Sequence, residues 1–164
     1  MSNINSLSEI AKTQPHVAYA AFIHGEQHKY TYFLRTIAGI SENLRPLDEA
    51  INNKLIPSLF GSEPSEYERE ILSLPIRIGG LGIRKVADYA DLSYEASTSI
   101  NQPLIKQILA QSDILPGATE VKDVRSAALL EYTTKIQEMH KNVTESQDPD
   151  TQRTLEQLSE PGAS

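Results

Sequence analysis

The sequence predicts an all-α protein: an irregular helical bundle with a Gly-rich loop and a long C-terminal amphipathic helix. Three observations lead there. Apolar residues recur at three- and four-residue steps from end to end, and no segment alternates strictly between apolar and polar as a half-buried strand does. At 164 residues with 39% hydrophobic side chains, the chain can bury the core of one ordinary domain, or of one domain with a tail.

The elements follow in order. Residues 3–12 read as a short helix, with Ile4, Leu7, Ile10 and Ala11 on one side. Pro15 suits the first turn of the next helix, where its missing N–H costs nothing. That helix runs through HVAYAAFIHGEQHKYTYFLRTI, with a kink expected at Gly25. Ser41 reads as the N-cap of a third helix, with Glu42 favourable in its first turn and Leu44, Leu47, Ile51, Leu55 and Leu59 as its apolar stripe. Pro57 is expected to kink or end it. Ser65 with Glu68 three residues later spells a capping box ahead of Ile71, Leu72 and Leu74.

PIRIGGLGI, residues 75–83, is too rich in glycine for helix and reads as a loop. Two helices are expected after it, near 86–98 and 103–111, followed by a turn at Pro116-Gly117. From Thr119, read as an N-cap, Val121, Val124, Ala128, Tyr132, Ile136, Met139 and Val143 make the stripe of one long helix. The division expected is a helical domain over 1–113, the long helix over 114–145, and an acidic disordered tail over 146–164 with weak helix at 151–158.

Charge and composition exclude several functions. Residues 1–85 carry 9 Lys+Arg against 9 Asp+Glu and residues 86–164 carry 6 against 13, so the net charge of −7 resides in the second part. A freestanding nucleic-acid binder needs clustered cations. With no cysteine, disulfides, Cys-ligated zinc and thiol nucleophiles are out of reach. The start MSNINSLSEIAK has no signal-peptide pattern and no run is long and apolar enough to span a membrane, so an intracellular chain, in cytoplasm or nucleus, is expected.

No motif meets its own chemistry. Tyr89-Ala90-Asp91-Leu92 misses by one residue the Tyr-x-Asp-Asp that holds the metal-binding carboxylates of reverse transcriptases. Two-metal chemistry needs carboxylates on a turn between strands, whereas Val86, Tyr89, Ala90, Ser93 and Tyr94 follow a helical period. His24 and His28 have the i, i+4 spacing of shared metal ligands, yet Gly25 stands where a metalloprotease needs Glu, and no third ligand is near. Gly79, Gly80 and Gly82 fit neither a P-loop nor a dinucleotide fingerprint and are read as a structural turn, flanked by Arg77, Arg84 and Lys85. No metal, cofactor or catalytic residue is expected.

IAKTQPHVAYAAFIHGEQHKYTYFLRTI (residues 10–37), LPIRIGGLGI (74–83) and YEASTSINQPLIKQIL (94–109), in this order and spacing, resemble the region downstream of the palm in reverse-transcriptase-like proteins of LINE-type animal retroelements. There a helical thumb and linker follow the catalytic palm. The resemblance covers residues 10–111 and departs at Tyr30, where that family commonly has Trp. Fingers, palm aspartates and the downstream Cys/His and endonuclease-like segments have no counterpart here, so the resemblance implies a non-catalytic fragment. It also implies contact with template–primer, RNA–DNA hybrid or RNA, weak for the isolated chain. The side chains expected to touch phosphates and sugars are His24, His28, Lys29, Tyr30, Arg35, Arg77, Arg84 and Lys85. The alternative is a helical module for a protein partner, with the 121–143 helix as its best feature.

Overall fold

The computed structural model describes residues 2–159, and among these the regular elements are helical, with no strand. Helix α1 (Ser2–Ala11) leads into α2 (Pro15–Ala21), with Pro15 in its first turn. A π turn (Phe22–Glu26) follows, then the short α3 (Gln27–Lys29) and α4 (Thr31–Thr36). The irregularity expected at Gly25 is this π turn. Its extra residue lets two sequence neighbours, Glu26 and Gln27, both face inward.

Helix α5 (Ser41–Ala50) starts one residue earlier than its side-chain signal. Ile40 already has helical torsions and Ser41 makes no capping bond, so the reading of Ser41 as N-cap is corrected. The stripe holds: Leu44, Leu47, Ile51 and Leu55 are buried. Pro57 does not end the helix. A second π turn (Ile51–Leu55) precedes it, with the Ile56 N–H bonded back to the Ile51 carbonyl, and α6 (Ile56–Phe60) carries Pro57 in its first turn. The wider turn makes room for a ring that clashes with the carbonyl four residues back in a regular helix.

Helix α7 (Glu66–Ser73) has the capping box: Ser65 Oγ accepts from the Glu68 N–H at 3.2 Å, and Glu68 Oε2 accepts from the Ser65 N–H at 2.7 Å. Short 3-10 turns, Ile76–Ile78 and Ala87–Tyr89, bracket the glycine-rich loop. Beyond it the two expected helices are one, α8 (Ala90–Leu109), with Pro103 inside it. The correction has a tertiary reason: α8 is packed against both α4 and the following helix, α9 (Ala118–Glu145), and Pro103 is buried. Those contacts outweigh the backbone bond that proline removes.

Helix α9 starts after Gly117, which is extended, and not at Thr119. Its whole predicted stripe, Val121 to Val143, is buried or half-buried. It runs antiparallel to α8, as Lys135 meets Glu95 at 3.0 Å and His140 meets Tyr89 at 2.8 Å. Helix α10 (Pro149–Ser159) occupies most of the stretch expected to be a frayed tail, and its Leu155 is only 4% exposed. Asp148 caps it, accepting from the N–H groups of Asp150 and Thr151 at 3.1 Å, with Pro149 in the first position. The expectation for 160–164 lies outside the described residues.

Phe22, Ile4, Ile51, Leu55, Ile56, Leu74 and Ile83 are the largest fully buried side chains, so the core joins the N-terminal helices to the loop. Among the described residues no helix is long and apolar enough to cross a membrane.

Candidate nucleic-acid interface

The expected interface is built around the loop after α7, and four polar side chains hold that loop from outside its own sequence. The Tyr19 hydroxyl, from α2, donates to the Leu81 carbonyl at 2.7 Å. Gln27 Oε1 accepts from the Arg84 N–H at 3.0 Å. Arg69, buried in α7, donates to the carbonyls of Ile83 at 2.8 Å and Arg84 at 3.3 Å. Asp48, from α5, accepts from the N–H groups of Val86 at 2.7 Å and Ala87 at 2.8 Å.

These bonds answer a specific need, because buried irregular backbone must find partners that a helix or sheet would otherwise supply. The 3-10 turn at Ala87–Tyr89 and α8 have no side-chain cap of their own. Asp48 caps them from a distance, an anion placed on free N–H groups at a helix start. Burial raises the Asp48 carboxyl above its ordinary value, opposed by the Ala87 and Val86 N–H groups and by the Arg69 charge. Burial likewise lowers the Arg69 guanidinium from its ordinary value, opposed by Asp48 and Glu70.

The glycines have distinct tasks. Gly79 and Gly82 have positive φ, 85° and 68°. At Gly80 space is the constraint, since a Cβ there would stand 2.0 Å from the Leu74 carbonyl oxygen. A Cβ at Gly79 would meet Leu155 of α10 at 2.6 Å, so the loop also seats the C-terminal helix.

Around this scaffold the predicted residues fall into three sets. Lys29 and Tyr30 belong to a network centred on the buried Glu26, which accepts from Lys29 Nζ at 2.6 Å, from the Tyr30 hydroxyl at 2.9 Å and from Asn3 Nδ2 at 3.1 and 3.0 Å. Burial raises the Glu26 carboxyl, but the bonds from Lys29, Tyr30 and Asn3 outweigh it and leave it below its ordinary value. Burial and the Glu26 bond raise the Tyr30 phenol. Arg77, Arg84 and Lys85 form the loop set. Lys85 is paired with Glu70, while the Arg84 guanidinium lies 5.5 Å from the centre of the Tyr89 ring. His24, His28 and Arg35 are exposed on the π turn, α3 and α4.

Lys29 and Lys85 are thus neutralised locally, and Arg35, Arg77 and Arg84 are the predicted cations outside ion pairs among the described residues. Gln27 ties Arg84 to the His24–His28 segment, whereas Arg35 sits on α4 with no hydrogen bond to the others. Sequence reasoning missed the clamp, although a signal existed. Asp48 lies four residues after Leu44 and three before Ile51, a carboxylate on the buried stripe, and Arg69 stands three before Leu72.

The near-motif has helical geometry. Asp91 is exposed in the first turn of α8, and Tyr89 turns inward, its hydroxyl on Nε2 of the buried His140. Burial, with Arg77 and Arg84 nearby, lowers the His140 imidazole from its ordinary 6.5. No cluster of three or more His, Asp or Glu able to hold a metal ion occurs among the described residues. Compared with known proteins, the chain matches no protein-family model, no curated protein and no solved structure.

Proposed function

We propose that the chain is a non-catalytic, thumb-like helical module of a retroelement reverse transcriptase, whose work in a full protein is to hold template–primer nucleic acid. The observation that carries this reading is that the three segments bearing the resemblance belong to one packed unit. Tyr19 of the first bonds Leu81 of the second, and α4 of the first packs on α8, which holds the third. The exposed His24, His28 and Arg35, with Arg84 alongside through Gln27, are the surface that would face phosphates and sugars.

With few free cations, binding is weak: a Kd no tighter than about 10⁻⁴–10⁻⁶ M and a shallow salt dependence. Titration of RNA–DNA hybrid at about 150 mM salt tests this. Arg35→Ala with Arg84→Ala is expected to reduce binding more than Lys29→Ala does, since Lys29 is held by Glu26. Nanomolar affinity, or weak binding indifferent to Arg35 and Arg84, would sink the surface assigned. Primer extension with Mg²⁺ or Mn²⁺ is expected to show no incorporation, and activity abolished by Asp91→Ala would make the near-motif real.

A second reading, a helical module for a protein partner, is favoured by one observation: bulky aliphatic side chains stand exposed where α8 turns into α9.

A further inference from the structure

The tip of the α8–α9 hairpin is apolar and the rest of the chain does not cover it. Ile108 and Leu109, in the last turn of α8, are 74% and 79% exposed, and Ile114 and Leu115, in the connector, are 76% and 80% exposed. Leu104, one turn before Ile108, adds a further exposed side chain. Single exposed aliphatics are ordinary, but a group of them gathered on one projection marks an interaction surface.

Charge indicates what covers it. Lys106 and Asp113 are the only charged residues between 104 and 117, so the tip is formally neutral on a chain of net charge −7. Both are exposed, and neither joins an ion pair among the described residues. Nucleic acid or an anionic lipid surface finds a single lysine there. A basic partner is drawn to the acidic carboxyl-terminal half before this neutral patch. A second copy meets a patch without net charge inside the acidic half of the chain, so two such patches do not repel each other. Twofold pairing also makes residue i meet j while j meets i, so one contact between Lys106 and the other copy's Asp113 would form twice, and the tip carries one charge of each sign for it.

We propose that the α8–α9 tip is a self-association surface, at which a second copy docks about a twofold axis through Ile108, Leu109, Ile114 and Leu115, with two Lys106–Asp113 pairs fixing the register. With only four aliphatic side chains of each copy at its centre, the dimer is weak, with a Kd on the order of 10–100 µM. The inference gives a partner to the second reading above and is independent of hybrid binding. A strictly monomeric chain that still binds hybrid removes this inference and leaves the first reading standing.

Sedimentation equilibrium of the full chain, from about 1 to 500 µM around that Kd, tests it. A reversible monomer–dimer equilibrium that stops at two is expected. Ile108→Ser with Leu115→Ser should weaken it at least tenfold while helical circular dichroism and Tm stay unchanged. Lys106→Asp alone and Asp113→Lys alone should each weaken it about tenfold, and an equimolar mixture of those two variants should restore dimers of wild-type affinity, because every cross-pair is then opposite in charge. A monomer at all concentrations overturns the proposal, as does association untouched by the tip substitutions, growth beyond two, or a mixture that fails to recover. A chain that stays monomeric but floats with neutral phosphatidylcholine vesicles through Ile108 and Leu115 would overturn it in favour of lipid.

Discussion

Two connectors flank α8, and they are opposites. The one before it, residues 74–89, is irregular, rich in glycine and mostly buried or half-buried; the one after it, residues 110–117, carries bulky aliphatics and is largely exposed. Composition alone does not separate them, since both carry large aliphatics, among them Ile78, Leu81 and Ile83 in the first and Ile114 and Leu115 in the second. The difference shows that backbone satisfaction decides burial as much as side-chain polarity does. The first connector can be buried because Tyr19, Gln27, Asp48 and Arg69 bond its peptide groups. The second has no element packed over it, so Ile114 and Leu115 face water.

The sharpest way to break this contrast is Gly80→Ala. With a Cβ only 2.0 Å from a backbone carbonyl oxygen, no side chain can yield, and the loop must shift. A loss of about 3 kcal/mol is expected, read as a fall of about 6–12 °C in Tm. Gly82→Ala, strained by φ of 68° but with open space around it, should cost only about 1 kcal/mol. Equal effects at the two positions would mean that close approach does not govern the loop.

Asp48→Ala comes next. It leaves the Val86 and Ala87 N–H groups without their acceptor and Arg69 without the strongest of its nearby opposite charges, for an expected loss of about 2 kcal/mol in urea unfolding. A loss under about 0.5 kcal/mol would show that the cap from a distance is dispensable.

A smaller effect concerns the seat of α9. His140 Nε2 shares a 2.8 Å hydrogen bond with the Tyr89 hydroxyl, and burial, with Arg77 and Arg84 nearby, lowers its imidazole below 6.5. The unfolded chain therefore binds the extra proton first. Stability should rise with pH from that lowered value up to 6.5 and level off above it. The slope in that window should shrink in His140→Gln; an unchanged slope would assign it to other groups.

The smallest effects belong to the exposed connector. Ile114→Ser and Leu115→Ser should each change the stability of the monomer by no more than about 0.5 kcal/mol, measured in dilute solution. A larger loss at either would mean that the connector is covered after all, and the contrast between the two connectors would fail.

By itself the sequence determined what short-range signals can carry. The helical class, the Ser65–Glu68 capping box, the stripe of α9 and the loop at the three glycines all rest on residues within about one turn of one another, so propensity and periodicity reach them. The helix at 149–159 was half legible: Asp148-Pro149 spells its start, but Leu155 gains its burial from Gly79, far away in sequence. The tertiary structure alone decided the rest. Contacts with α4 and α9 keep α8 whole across Pro103, and π turns carry the chain past Gly25 and into Pro57. At the candidate interface the cations were readable as residues but not as free charges, because Glu70 lies 15 positions from Lys85. The clamp was still harder to read, with partners 38, 57 and 62 residues apart. The physical reason is the same in each case: a polar group's worth depends on who stands beside it after folding, and local pattern does not record that neighbour.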